Sequence, residues 1–176
     1  MLIIICTMIP SSIILPQQDL SLSIIPLNSN WQIPALLMTS LLCGPQIGTI
    51  CAFSYLSIGL FYLPIFHGGG SVGYILTHQF GYLLGFIPAA WICGFLSKRA
   101  TNSNLINYSF YSFLSLCILH LTGVSYLVIG KLIGNWNENL YDLILINTLI
   151  AFPPQLLLCL AISLISVFLK NLLILK

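Results

Sequence analysis

The sequence predicts an all-α integral membrane protein: a bundle of six transmembrane helices, with a short extra surface helix before the last span. Three observations carry this. First, 59% of the 176 residues are hydrophobic and 5% charged, where a soluble domain carries about 25% charged residues. The five basic and three acidic side chains cannot solvate the surface of a 19.4 kDa globule, so lipid must cover much of it. Second, the apolar runs are divided by Gly, Pro and Asn clusters at intervals near the length of a span, about 20 residues. Third, the length admits six or seven spans at most, and no internal repeat divides the chain, so it reads as a single membrane domain over residues 1–176. The net charge of +2 offers no basic patch for nucleic acid.

The elements follow in order. Residues 2–15 are apolar and interrupted by Pro10; as a helix they rise about 21–24 Å. No basic region precedes them, so a cleaved signal peptide is not expected, and the chain is expected to begin inside a helix. Residues 16–30 are polar, with Gln17, Gln18, Asp19, Asn28 and Asn30, and read as a loop. A second helix covers 31–43, and Gly44-Pro45 turns the chain. A third covers 46–63 and ends before Phe66-His67-Gly68-Gly69-Gly70-Ser71. The fourth covers 73–96 and ends at Ser97-Lys98-Arg99. Asn102-Ser103-Asn104 cap the fifth, 105–129. Residues 140–151 are too few to span and become the surface helix. Pro153-Pro154 suit a helix start, because the missing N–H would be unpaired there anyway, so the sixth helix covers 153–170.

With six spans both termini share a side. Lys98, Arg99, Lys170 and Lys176 then lie with the termini and Lys131 lies opposite. That excess makes both termini cytoplasmic by the positive-inside rule. The glycine loop, the 16–30 loop and the start of the sixth helix then face outward.

Several local patterns have two readings. Gly81, Gly85, Ala89, Cys93 and Ser97 recur every four residues and make a helix face without bulk. Such faces usually join helices within a bundle; the alternative is a docking surface for a partner subunit. Gly44, Gly48 and Ala52 repeat the pattern and can supply the neighbour. His67, His78 and His120 have no ligand spacing, so no metal is expected. His120 falls mid-helix, where an ionisable group is either a functional residue or a neutral side chain bonded to a neighbouring helix. Gly130-Lys131 is not a phosphate loop, since Leu132 follows and position 125 is serine. No nucleophile–base pattern points to catalysis. The six cysteines show no Cys-x-x-Cys spacing and read as small hydrophobes.

Residues 44–96 resemble a known family. Gly44-Pro45, Tyr55-Leu56-Ser57-Ile58-Gly59-Leu60 and Leu63-Pro64-Ile65-Phe66-His67-Gly68-Gly69-Gly70 fit the pattern of the BioY family. Phe80-Gly81-Tyr82-Leu83-Leu84-Gly85-Phe86-Ile87-Pro88 is similar to its "GYLLGF" motif, in the form of its cyanobacterial members. Tyr126-Leu127-Val128-Ile129-Gly130 also fits, and the resemblance extends over about residues 31–170. It implies a six-helix substrate-binding (S) component of an energy-coupling factor transporter in a bacterial plasma membrane. Such a chain captures biotin from outside and docks on a transmembrane coupling subunit driven by two ATPase subunits. It is neither an enzyme nor a cofactor protein. Another small heterocyclic vitamin, or a non-transporting role as a membrane subunit, is the alternative.

The chain departs from the family where many members read "PGDLLK" at the start of the last helix. Leu156 stands for the aspartate and Cys159 for the lysine, so both charges that hold biotin are gone. Recognition is then expected to rest on neutral groups. Gln155 is the one carboxamide of the sixth helix, in its first turn near unpaired N–H groups; a wetted helix start is the alternative reading. Gln79, Tyr82 and Tyr126 can converge on the same cavity. Gly69 and Gly70, with His67 beside them, are expected over its outer mouth, because consecutive glycines are costly to order.

Overall fold

The computed structural model describes residues 2–16, 22–66, 69–100, 104–136 and 138–172. The chain opens with a six-residue helix, α1 (Leu2–Thr7), followed by strands β1 (Pro10–Pro16) and β2 (Leu22–Asn30). They pair antiparallel with Ile13 opposite Ile25, and the register shifts between Pro10 and Ser12. This corrects two expectations: residues 2–15 are not one span, and the polar stretch after them is not only loop. Pro10 accounts for the break. It has no N–H for the helical ladder, its ring clashes with the preceding turn, and it biases Ile9 toward extended backbone. The β-branched Ile13 and Ile14 then suit a strand. Ser11 donates to the Ser29 carbonyl and lies 2.8 Å from the Ser29 hydroxyl, tying the hairpin at its base.

A helical bundle follows. Helix α2 (Gln32–Cys43) runs into α3 (Pro45–Phe61) through Gly44, whose φ of 86° serves the turn. A 3₁₀ turn, Val72–Leu76, leads to the short α4 (Phe80–Leu84), and α5 (Phe86–Arg99) continues past Gly85. Helix α6 (Leu105–Ile133) is the longest and ends at Gly134 in the left-handed conformation, φ 81°. Asn104 holds its N-cap position without a side-chain cap bond; Asn102 and Ser103 lie outside the described residues.

The end of the chain differs from expectation. Helix α7 (Leu140–Ile144), a π-helical stretch (Leu145–Ile150) and α8 (Phe152–Leu172) form one helical run. Pro153 and Pro154 fall in the first turn of α8, and the helical run reaches back beyond them to Leu140. Pro153 and Pro154 have no N–H to offer the carbonyls four residues back, Leu149 and Ile150, and the chain widens into π geometry just before them. The residues read as a surface helix are thus joined to the last helix in one helical run.

Helix α2 is the hub. It packs on α3, α5 and α8, and Leu36 and Leu37 are wholly buried. Around it, α5 meets α3 and α6, and α6 meets α4 and α8. Several buried hydroxyls bond helix backbone or one another: Ser97 donates to the Leu41 carbonyl at 2.8 Å, and Ser112 and Ser163 lie 3.0 Å apart; the buried Ser166 hydroxyl has no partner among the described residues. Large apolar side chains face outward, among them Phe53, Leu121, Leu164 and Phe168. Three helical stretches are long and apolar enough to cross a bilayer: Phe80–Arg99, Leu105–Ile133 and Leu140–Leu172. Helices α2 and α3 are apolar but shorter. Spans of this length, with an apolar exterior, make the chain a multi-pass membrane protein, helical as expected apart from the hairpin.

Candidate functional site

His120 sits near the middle of α6 with 5% of its surface exposed. Its Nε2 lies 3.0 Å from Oε1 of Gln155 on α8, a bond that joins residues 35 positions apart. The Tyr82 ring of α4 meets the imidazole edge-on, with centroids 5.7 Å apart and planes at 73°. Phe152, one turn before Gln155, packs against it at 5.2 Å. The Tyr82 hydroxyl lies 2.6 Å from the Thr148 hydroxyl in the π-helical stretch. That approach needs Gly123: a Cβ there would fall 2.3 Å from the Tyr82 ring. Helices α4 and α8 thus converge on one imidazole of α6, and the π-helical stretch braces Tyr82. The imidazole Nδ1 is buried and, among the described residues, has no hydrogen-bond partner.

Gln155 lies in the first turn of α8, and its N–H bonds the carbonyl of Ala151, just before the helix, at 3.3 Å. Its carboxamide belongs to α8 and points to α6.

The other candidates fall on neighbouring ground. The Gln79 carboxamide oxygen accepts from the Tyr74 hydroxyl at 2.8 Å, and Tyr74 packs on Phe66, centroid to centroid 4.9 Å. Tyr126 packs on Phe80 and Trp136. Its hydroxyl donates to the Ile75 carbonyl, while the Trp136 Nε1–H donates to the Leu76 carbonyl at 3.1 Å. Together they pin the 3₁₀ turn to the end of α6. Gly69 has φ 133° with open space where a Cβ would be. Gly70 is closed in: a Cβ would stand 2.6 Å from Pro64 Cα and 2.7 Å from the Gly59 carbonyl oxygen. His67 and Gly68 lie outside the described residues.

The small-residue face is occupied within the chain. A Cβ on Gly81 would meet the Tyr126 side chain at 2.3 Å, and one on Gly85 would meet Thr122 Oγ1 at 2.2 Å. Ala89 and Cys93 are fully buried, and Gly94 touches Gly44 and Pro45. On α3, Gly48 abuts Ser40 of α2, and Ala52 is fully buried.

The sequence reasoning left out Thr148, Phe152, Tyr74 and Gln32. Gln32 opens α2 and is buried, with its side chain close to the Tyr55 hydroxyl. A carboxamide opening an apolar helix was its only sequence signal. Among the described residues no three His, Cys, Asp or Glu side chains group as metal ligands. A cavity of about 200 Å³ lies elsewhere, at the C-terminal ends of α2, α5 and α8, lined by Leu41, Gly44, Ser97, Lys98 and Lys170. There the Lys170 Nζ donates to the Tyr108 hydroxyl at 2.7 Å.

The bundle defines a class by its fold, the one seen in a transporter S-component. The structure matches that of the S-component for biotin from an ECF-type ABC transporter with a TM-score of 0.72, at 23% identity, over 96% of this chain and 85% of that one. At that identity the likeness shows the fold. The particular family is set by sequence: residues 1–174 match the BioY family, and the chain belongs to it. It is also 31% identical over 99 residues to a probable biotin transporter BioY from Lysinibacillus sphaericus, across 56% of this chain and 50% of that protein. The match thus spans about half the length of that curated relative.

Proposed function

We propose that this chain is the S component of an energy-coupling factor transporter, capturing biotin for uptake. The observation that carries the reading is the family match across nearly the whole chain; the neutral polar cluster around His120 is consistent with it. The chain performs no chemistry of its own. It holds the solute and passes energy coupling to partners, a transmembrane subunit and two ATPases, in the bacterial plasma membrane. Both termini lie on the cytoplasmic side, with the loop of Gly69 and Gly70 at the outer mouth. Gln155, Tyr82, Gln79 and Tyr126 line or brace the site. Because Gly81, Gly85, Ala89, Gly48 and Ala52 are used inside the bundle, a partner docks on other surface.

Calorimetric titration of the purified full chain with biotin tests this directly. Saturable binding that thiamine and riboflavin do not compete away is the expected result, together with growth of a biotin-auxotrophic strain on low biotin when the chain is expressed with its partners. Saturable binding of another vitamin instead would replace the ligand while keeping the class.

A further inference from the structure

We infer that Nδ1 of His120 accepts an N–H from the cyclic urea of the bound solute, with Gln155 acting as the positioning residue that keeps Nδ1 free to accept. The inference rests on the biotin reading and deepens it.

A neutral imidazole carries one N–H and one bare acceptor nitrogen, and the partner of one nitrogen decides the role of the other. Gln155 Oε1, 3.0 Å from Nε2, can only accept, so Nε2 holds the hydrogen and Nδ1 is the bare acceptor. Among the described residues no carboxylate pairs with the ring to hold a second proton. The ring cannot easily turn to find another partner, because Tyr82 and Phe152 pack against it and Tyr82 is tied to Thr148. Nδ1 therefore remains a buried acceptor without a donor among the described residues. Such atoms are few in folded proteins, since each forfeits its hydration for nothing. A fixed, dry acceptor is what a ligand N–H needs, and a cyclic urea presents two such donors.

The neighbouring residues explain why the task falls to His120. Cys159 is buried at 1% exposure, and Leu156 is apolar and packed against the core. Leu156 offers no acceptor and the Cys159 sulfur only a weak one. The acceptor has moved from α8 across to α6, with Gln155 as the link.

The test compares biotin with its two mono-N-methyl ureido isomers on the parent chain, His120→Phe and Gln155→Glu. On the parent, methylation of one nitrogen should weaken binding about tenfold or more. His120→Phe should lose a similar factor for biotin, and its preference for biotin over that isomer should collapse. Gln155→Glu keeps the size of the side chain but places a carboxylate on Nε2, which holds a second proton on the ring and turns Nδ1 into a donor. Biotin affinity should again fall about tenfold or more, although a direct ligand contact by residue 155 would be nearly conserved. The parent comparison needs no variant and so survives a failure of His120→Phe to fold. If the parent binds biotin and both isomers equally, or His120→Phe keeps the parent's preference, the inference is overturned while biotin capture stands. If the parent binds no biotin, the functional reading fails and takes the inference with it.

Discussion

The bond between His120 and Gln155 shows how much rests on single atoms in this bundle. Replacing Gln155 by Leu leaves Nε2 without its acceptor, so both ring nitrogens become orphans in a dry environment. A buried polar group stripped of its partner costs about 1–3 kcal/mol, so Gln155→Leu should lower the melting temperature in detergent as well as weaken biotin binding. Unchanged melting would mean that the carboxamide contributes nothing to the bundle. The two described glycines of the loop should respond differently. Gly70→Ala forces a methyl into backbone at under 3 Å, and overpacking of this kind costs roughly 1–3 kcal/mol; reduced thermal stability is its expected signature. Gly69→Ala meets no atoms but is strained by its φ of 133°, so it should act mainly on the loop and on ligand affinity. Equal melting temperatures for the two variants would contradict this division.

At the scale of elements, the π-helical stretch is the feature that places Thr148 against Tyr82. Its cause is the pair of prolines just beyond it. Pro154→Ala restores an N–H for the Ile150 carbonyl, and the run should relax toward regular α-helix. The helix should then be more stable, yet Thr148 should rotate away from Tyr82 and biotin affinity should fall. Hydrogen exchange over residues 145–155 with parallel titration would check both; slower exchange with undiminished affinity would show the π geometry to be dispensable. Pro-Pro reads as a helix start, and α8 begins at Phe152, yet nothing local to the prolines shows that the apolar residues before them join the same helical run. Pro10 acts differently: the apolar stretch around it reads as a helix, whereas the chain switches there to a strand. By contrast, Gly44-Pro45, the glycines before Ser71 and the cluster at Ser97-Lys98-Arg99 punctuated the middle of the chain legibly, because glycine and proline act through local backbone geometry. His120 was flagged by its place in an apolar helix. Its partner, 35 residues away, was visible only in three dimensions.

For the whole molecule, orientation is the open quantity that charge decides. Lys98, Arg99 and Lys170 lie near the ends of α5 and α8, and Lys131 near the far end of α6. Reporter fusions after Gly70 and after Ala100 should therefore fall on opposite sides of the membrane, with the first outside; fusions on one side would reverse the placement of the site. The family relationship was legible from the central block, because it rests on fixed spacings of glycine, proline and aromatic residues that local structure enforces.

The ties that hold Tyr82 and His120 also set an order of events during synthesis. The partner of Tyr82 lies 66 residues downstream and that of His120 lies 35 downstream. Tyr82 and His120 are therefore synthesised before Thr148 and Gln155, and their bonds close only when the last helix joins the bundle. Until the last helix arrives, a tyrosine hydroxyl and an imidazole wait in or near lipid without these partners, where unsatisfied polar groups are costly. A chain that ends before Thr148 would therefore hold a tyrosine hydroxyl and an imidazole stripped of both partners.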